Sequence, residues 1–349
     1  MLLVINIQGK FALLGKIQNI VTRLNQSDSE YFDEQFMYGH REVLLSSAIN
    51  SDASLDKSSL IIGGILHGWA FDPSIWRVRK SNLQRAPRFV WHRKFEEKLP
   101  ASTGNKAIGA PWLYLLRQLG IVKHAKVSLA GREQTDVLVF PGHNLLYTSK
   151  DIYRQVSKYR EIVGSRTATV CLYWLDFLDP TTYQSFADAG FNVVCIGYTP
   201  RGKFGYSSKG GRVTFLPRLL ELFVSHDLIL ADELGSGVIY AASLGKNIQL
   251  CPDAHSNNIQ IELASIMGKG DGFYLTADEW LENHNPKLWK SGKSSPKLIE
   301  IAWEELGETS LLSDEELALL PWSDSEIPDG LFEEYTSKIT ELKSKLIIT

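Results

Sequence analysis

An α/β fold with two parallel-sheet halves and a helical C-terminal tail is what this sequence predicts. Three observations carry that expectation. Short apolar runs with strand character alternate with runs of helical, 3.6-residue spacing. The alternation pauses at a polar stretch, 123–134, and then restarts. Beyond about residue 280 strand signals thin out and carboxylates gather, as in Asp314-Glu315-Glu316. Strands alternating with helices make parallel sheets with helices on their faces. Several βα units in succession make a Rossmann-like domain. The reading is therefore two Rossmann-like domains facing a cleft. Residues 1–133 form the first, 134–285 the second, and 286–349 a tail packed across both.

Taken in order, residues 11–24 space their apolar side chains as a helix, with Lys16 and Arg23 on the other side. This is either a first core helix or one lying at a membrane interface. Residues 25–57 are rich in Asn, Ser, Asp and Glu and read as loop with short helices. A strong strand follows over 59–66, a short one over 88–91, a charged helix over 93–99 and a third strand over 105–111. The next helix opens at Trp112 with Gly120 as its C-cap. In the second half, strands are expected over 135–140, 167–174, 191–197 and 228–231. The helices between them cover 152–164, 180–189 and 213–225, with Asp179 as a cap. The 167–174 run is apolar throughout, as a strand buried on both faces should be.

The stretch HDLILADELGSGVIYAASLGKNIQL, residues 226–250, is the most informative. It reads as strand, glycine turn, helix ending at Gly245, and strand. Ser236 stands where an N-cap belongs, between Gly235 and Gly237. Glycines there let backbone N–H groups face an anion without a Cβ in the way. The spacing matches neither a dinucleotide fingerprint nor a Walker loop, so an ordinary capped helix is an equal reading.

Composition limits the function classes. The chain has 349 residues, 44% hydrophobic and 22% charged, enough for a sizeable core. A net charge of −3 speaks against a dedicated nucleic-acid partner. Cys171, Cys195 and Cys251 are widely spaced and form no disulfide framework. Cys171 and Cys195 sit in apolar runs and are expected to be buried, in a reducing cytoplasm. No apolar run approaches membrane-span length. No metal-ligand spacing and no nucleophile elbow occur, so no metal and no serine hydrolase are expected.

Ligands of open parallel sheets bind beyond the carboxyl ends of the strands. That rule selects His67, Gly68, Trp69 and Asp72, and the 109–111 turn, in the first half. In the second it selects His143 and Asn144, Tyr173 and Asp176, Tyr198, and Asp232-Glu233 with Gly235, Ser236 and Gly237. Polar loop tips over two sheets point to a cleft. His67 can act as a general base or bond a loop carbonyl as a structural histidine. Asp72, before Pro73, can orient His67, act as base or nucleophile, or cap a helix. His143 can bond a phosphate or simply belong to a turn. Tyr198 can stack on a nucleobase or pack. The basic, glycine-rich RGKFGYSSKGGR, 201–212, is either a closing loop or a solvated one.

These features together resemble a GT-B glycosyltransferase, of the kind that builds bacterial capsule and O-antigen polysaccharide. LGSGVIYAASLGKNIQL looks like the segment those enzymes place over donor phosphates, and KAIGAPWLYLL like a strand-turn-helix late in their first domain. FPGHN and VCLYWLDFLD are similar to transferases of CMP-activated acidic sugars such as Kdo, sialic or pseudaminic acid. Sialyltransferases of this fold often carry a His-Pro pair, whereas here His143 precedes Asn144. The resemblance spans about 59–252. It implies that His143, Asn144, Tyr173, Asp176, Tyr198, Gly235, Ser236 and Gly237 hold a nucleotide-sugar donor, that Gly68 and Trp69 face the acceptor, and that His67 and Asp72 are catalytic. It further implies no cofactor, no metal, a glycan or lipid-linked glycan acceptor, and a cytoplasmic enzyme associated with the inner face of the membrane. The alternatives are a UDP-sugar transferase, a nucleotide-sugar 2-epimerase, and a non-catalytic binding protein of the same fold.

Overall fold

The computed structural model describes residues 38–52, 54–66, 68–69, 87–97, 105–131, 136–142, 149–197, 213–251, 281, 286–324 and 330–349. The expected 11–24 helix, the 201–212 loop, and His67, Asp72, His143, Asn144 and Tyr198 lie outside them. The fold is mixed α/β with parallel sheets. In the first half the elements are α1 (His40–Ala48), β1 (Leu60–Ile61), β2 (Gly64–Ile65), β3 (Arg88–Val90), α2 (Arg93–Glu96), β4 (Lys106–Ala107), α3 (Pro111–Gln118) and β5 (Val127–Leu129). Strands β2, β3 and β4 form a parallel sheet in that order.

The expected 59–66 strand is in fact two. Gly63, at φ 147°, turns the chain between them, and a Cβ there would stand 2.6 Å from the Pro87 carbonyl oxygen. Only the second piece enters the parallel sheet; the first pairs antiparallel with a strand of the tail. Within the polar 25–57 stretch, α1 is nearly all buried. Its Arg41 and Glu42 form an ion pair of 2.9 Å with both side chains fully enclosed. Arg41 also donates to the carbonyls of Ser59 and Lys57, which ties α1 to the approach of β1. Burial raises the Glu42 pKa, and Arg41 opposes that rise.

The second half continues with β6 (Val137–Phe140), α4 (Ser149–Val163), β7 (Ala168–Cys171), α5 (Trp174–Phe177), α6 (Pro180–Asp188), β8 (Asn192–Val194), α7 (Phe215–Val224), β9 (Leu228–Ala231), α8 (Ser236–Ser243) and β10 (Asn247–Leu250). All five strands are parallel, in the spatial order β8-β7-β6-β9-β10. The chain steps outward from β6 through β7 and β8, then crosses back to lay β9 on the other side of β6. The two strands flanking this reversal end together, with Phe140 opposite Ala231. Buried Val, Leu, Ile and Ala side chains fill β6, β7 and β9, as a sheet covered on both faces requires.

Two expectations need correction here. The 167–174 strand stops at Cys171, and Trp174 instead opens α5, because Tyr173 adopts the extended conformation of an N-cap. Cys195 follows β8 rather than sitting inside it and is only half-buried, whereas Cys171 is buried as expected. Asp179 does cap α6, accepting from the Thr182 amide at 2.9 Å.

The tail comprises α9 (Pro286–Lys290), α10 (Pro296–Glu305), α11 (Asp314–Ala318), β11 (Trp322–Ser323), α12 (Gly330–Lys345) and β12 (Leu346–Ile348). Its two strands were not expected. β11 pairs with β1, and β12 pairs antiparallel with β5. Helix α10 packs on α8, while α12 touches both α7 and α1. Lys338 of α12 bonds Glu221 of α7 at 2.7 Å, and Tyr335 donates to Gln118 of α3 at 2.5 Å. Among the described residues no helix is long and apolar enough to cross a membrane.

Candidate functional site

A cavity of about 420 Å³ opens where the strand order reverses. Strands β6, β7 and β9 aim their carboxyl ends at it through Phe140 and Pro141, Cys171 to Trp174, and Ala231 and Glu233. The start of α8 supplies Gly235, Ser236, Gly237 and Val238. Gly68 and Trp69, from the loop after β2, also line it. The volume suits a small organic ligand.

The start of α8 differs from the expectation in one respect. Gly235, not Ser236, is the N-cap, and no side chain caps the helix. The Gly235 carbonyl accepts the first intrahelical bonds, from Val238 at 3.0 Å and Ile239 at 3.1 Å. The amides of Ser236 and Gly237 precede those bonds, so both belong to the unpaired first turn. Such amides, at the positive end of the helix dipole, favour an anion or a developing negative charge.

Ser236 is thereby released from capping, and its hydroxyl meets the loop after β2. Its Oγ accepts from the Trp69 backbone N–H at 2.8 Å. The approach is close enough that a Cβ on Gly68 would sit 3.0 Å from that oxygen. Trp69 is held at its other end as well. Its indole N–H donates to Glu305 Oε2 of α10 at 2.9 Å, and Lys94 Nζ bonds the other oxygen of the same buried carboxylate at 2.6 Å. A hydroxyl has one donor and two acceptor sites, so Ser236 can still donate to a ligand.

Asp232, one residue past β9, is a buried anchor behind the cavity wall. It accepts from Tyr159 at 2.6 Å, from Gln155 at 2.5 Å and from the Gly142 amide, which fastens the turn after β6 to the turn after β9. Burial raises its pKa, and these bonds partly oppose the rise. Burial likewise pushes the Cys171 thiol up to about 12, so it lines the cavity as a neutral, inert group. Glu233 also faces the cavity, and its carboxyl group lies over Gly142.

Of the site residues expected from sequence, Gly68, Trp69, Tyr173, Gly235, Ser236 and Gly237 line this one cavity. Asp176 does not; it is buried within α5. Sequence reasoning missed the lining residues Tyr38, Phe215, Leu219, Val238 and Tyr240. The Tyr38 and Phe215 rings meet at 4.4 Å. Tyr240 stacks on Trp112 at 4.6 Å and 15°. Only Tyr240 left a signal, because it lies four residues after Ser236, on the same helix face. No protein-family model and no curated protein matches the chain.

Proposed function

We propose that the protein is a GT-B glycosyltransferase. In this reading two Rossmann-like halves face a cleft, and a nucleotide-sugar donor binds the half containing α8. One observation carries it. The cavity sits at the reversal point of a parallel sheet, under an uncapped helix N-terminus, and the Gly68-Trp69 loop beyond the other sheet is bonded to that helix.

The chemistry follows from the charges. The bond between the sugar's anomeric carbon and the nucleotide phosphate breaks as an acceptor oxygen forms its own bond to that carbon. The departing phosphate gains charge, which the Ser236 and Gly237 amides and the α8 dipole are placed to stabilise. The acceptor's proton passes to His67 or Asp72 in the first half. Glu233, facing the cavity, suits the hydroxyls of ribose or sugar. On the resemblance of its second-half segments, the donor is a CMP-linked acidic sugar and the acceptor a growing bacterial surface glycan.

A thermal-unfolding panel with CMP, UDP and GDP tests this reading, because a ligand that binds the folded state raises its midpoint. CMP is expected to give the largest shift. A larger shift with UDP would replace the acidic-sugar donor by a UDP-sugar, and no shift with any nucleotide would remove the transferase reading. Product analysis with the preferred donor separates transfer or hydrolysis from epimerisation.

A further inference from the structure

Lys246 closes the turn between α8 and β10, at the amino edge of the five-stranded sheet and away from the cavity. The turn is a Schellman motif. The Gly245 amide bonds the Ala242 carbonyl at 2.9 Å, the Lys246 amide bonds the Ala241 carbonyl at 3.1 Å, and Gly245 holds φ at 70°. The residue after the glycine in this motif commonly lays an apolar side chain on the helix. A lysine holds that place here, and it is 7% exposed. A lysine stem suits such packing; an ammonium does not.

No described group pairs with that ammonium. Lys246 Nζ makes no hydrogen bond or ion pair with a described residue, and it is not among the enclosed polar atoms that lack a partner, so it still touches solvent. The strand register sets Asp136, Asp227 and Lys246 in a row across β6, β9 and β10, each one residue before the paired Val137, Leu228 and Asn247. The Asp227 amide bonds the Asp136 carbonyl at 3.1 Å. Asp227 favours the ammonium, yet burial outweighs it and lowers the Lys246 pKa to about 8. At about pH 7.5 its free-amine fraction exceeds that of an ordinary lysine by roughly two hundredfold.

We propose that Lys246 is a site of N-acylation by an acyl thioester. The product is an uncharged amide, so acylation removes a charge that the buried turn disfavours. Asp136 and Asp227 select among acyl donors, because carboxylates repel an anion. A thioester presents an uncharged reacting end, whereas an acyl phosphate brings its negative charge to the nitrogen. In the reaction the Nζ lone pair attacks the thioester carbonyl carbon. The C–N bond forms, the C–S bond breaks, and the proton lost by nitrogen passes through water to the leaving thiolate.

The test incubates the full chain with S-acetyl-N-acetylcysteamine, an uncharged acetyl thioester, or with acetyl phosphate. Peptide mass spectrometry follows each lysine. With the thioester, Lys246 should react about tenfold faster than the median lysine, since partial burial offsets part of its larger free-amine fraction. Its rate should level off above about pH 8, while the others keep rising toward about pH 10. Acetyl phosphate should show no such preference. Lys246→Gln, which carries an uncharged amide, should raise the unfolding midpoint at about pH 7 by roughly 2–5 °C. Lys246→Arg, which keeps the charge, should not. A thioester rate at Lys246 no higher than the median overturns the proposal. So does a preference that appears only in denaturant, because the site would then be closed in the folded protein. An equal preference with acetyl phosphate overturns the choice of thioester. A lower midpoint for Lys246→Gln overturns the gain from losing the charge.

Discussion

Replacing Ser236 by Ala separates two roles that the structure gives one oxygen. As acceptor, Ser236 Oγ holds the Trp69 amide at 2.8 Å. Its loss strands one backbone donor, but that donor borders a cavity that water can enter. The cost to stability is then at the low end for a hydrogen bond, about 1 kcal/mol. In a protein of this size that lowers the unfolding midpoint by roughly 2 °C. As donor, the hydroxyl is free to bond a ligand phosphate. A hydrogen bond to a charged group contributes about 1.5–3 kcal/mol, so nucleotide affinity should fall by roughly 10–100-fold. Calorimetric titration with the best nucleotide of the panel reads the second effect, and a circular-dichroism melt reads the first. Ser236→Thr keeps the hydroxyl and should retain most of both. An Ala variant that binds nucleotide within about twofold of the natural chain would refute the phosphate role. The predicted small loss of stability would then describe a purely structural bond.

Three further outcomes are expected. Lys246 is 7% exposed, and burial lowers its pKa from 10.5 to about 8, with Asp227 opposing. The unfolded chain binds the extra proton between those values, so the stability cost is full below about pH 8 and fades as pH rises toward 10.5. Lys246→Met should therefore stabilise by about 1–3 kcal/mol at pH 7, with a gap that narrows at pH 9.5 in thermal melts. Glu305→Leu leaves the Trp69 indole N–H and Lys94 without their shared acceptor. It should cost about 1–3 kcal/mol in denaturant unfolding and weaken nucleotide binding, and unchanged binding would show that Trp69 needs no such support. Gly39→Ala puts a Cβ 2.3 Å from the Val213 carbonyl oxygen at φ 75°. A loss of about 2–5 kcal/mol in thermal or chemical unfolding is expected, and a neutral effect would contradict the close approach of the Gly39 and Val213 backbones.

The parallel core of the second half was legible because its strands are buried on both faces. Val137 to Val139 and Ile229 to Ala231 are all enclosed, and an unbroken apolar run is the mark of that burial. The same rule misled at 59–66. Ile62 extends the apolar run but is 51% exposed, and the turn at Gly63 depends on Pro87 and Phe89, which local sequence does not reveal. β5 and β12 were missed for a related reason, since Val127 finds its partner Ile348 more than two hundred residues away. At the site, glycines around a hydroxyl after a strand marked the start of α8 correctly. They did not tell capping from bridging, because a serine suits both, and the choice depended on Trp69 arriving from another sheet.

The tail explains why that arrival is reproducible. Helix α10 carries two anchors in its last turn, two residues apart. Trp303 donates its indole N–H to the Ser243 carbonyl, at the last residue of α8. Glu305 receives the indole N–H of Trp69 and the ammonium of Lys94, both from the first half. One short helix thus grips the far end of α8 and the loop that bonds the near end. The buried carboxylate holds two donors, and removing either partner leaves a costly unpaired group. Both anchors are made by the same helix, which adds to the direct bond between the Trp69 amide and Ser236 Oγ. A tail that reads in sequence as an acidic appendage therefore ties the Trp69 loop and α8 to one helix.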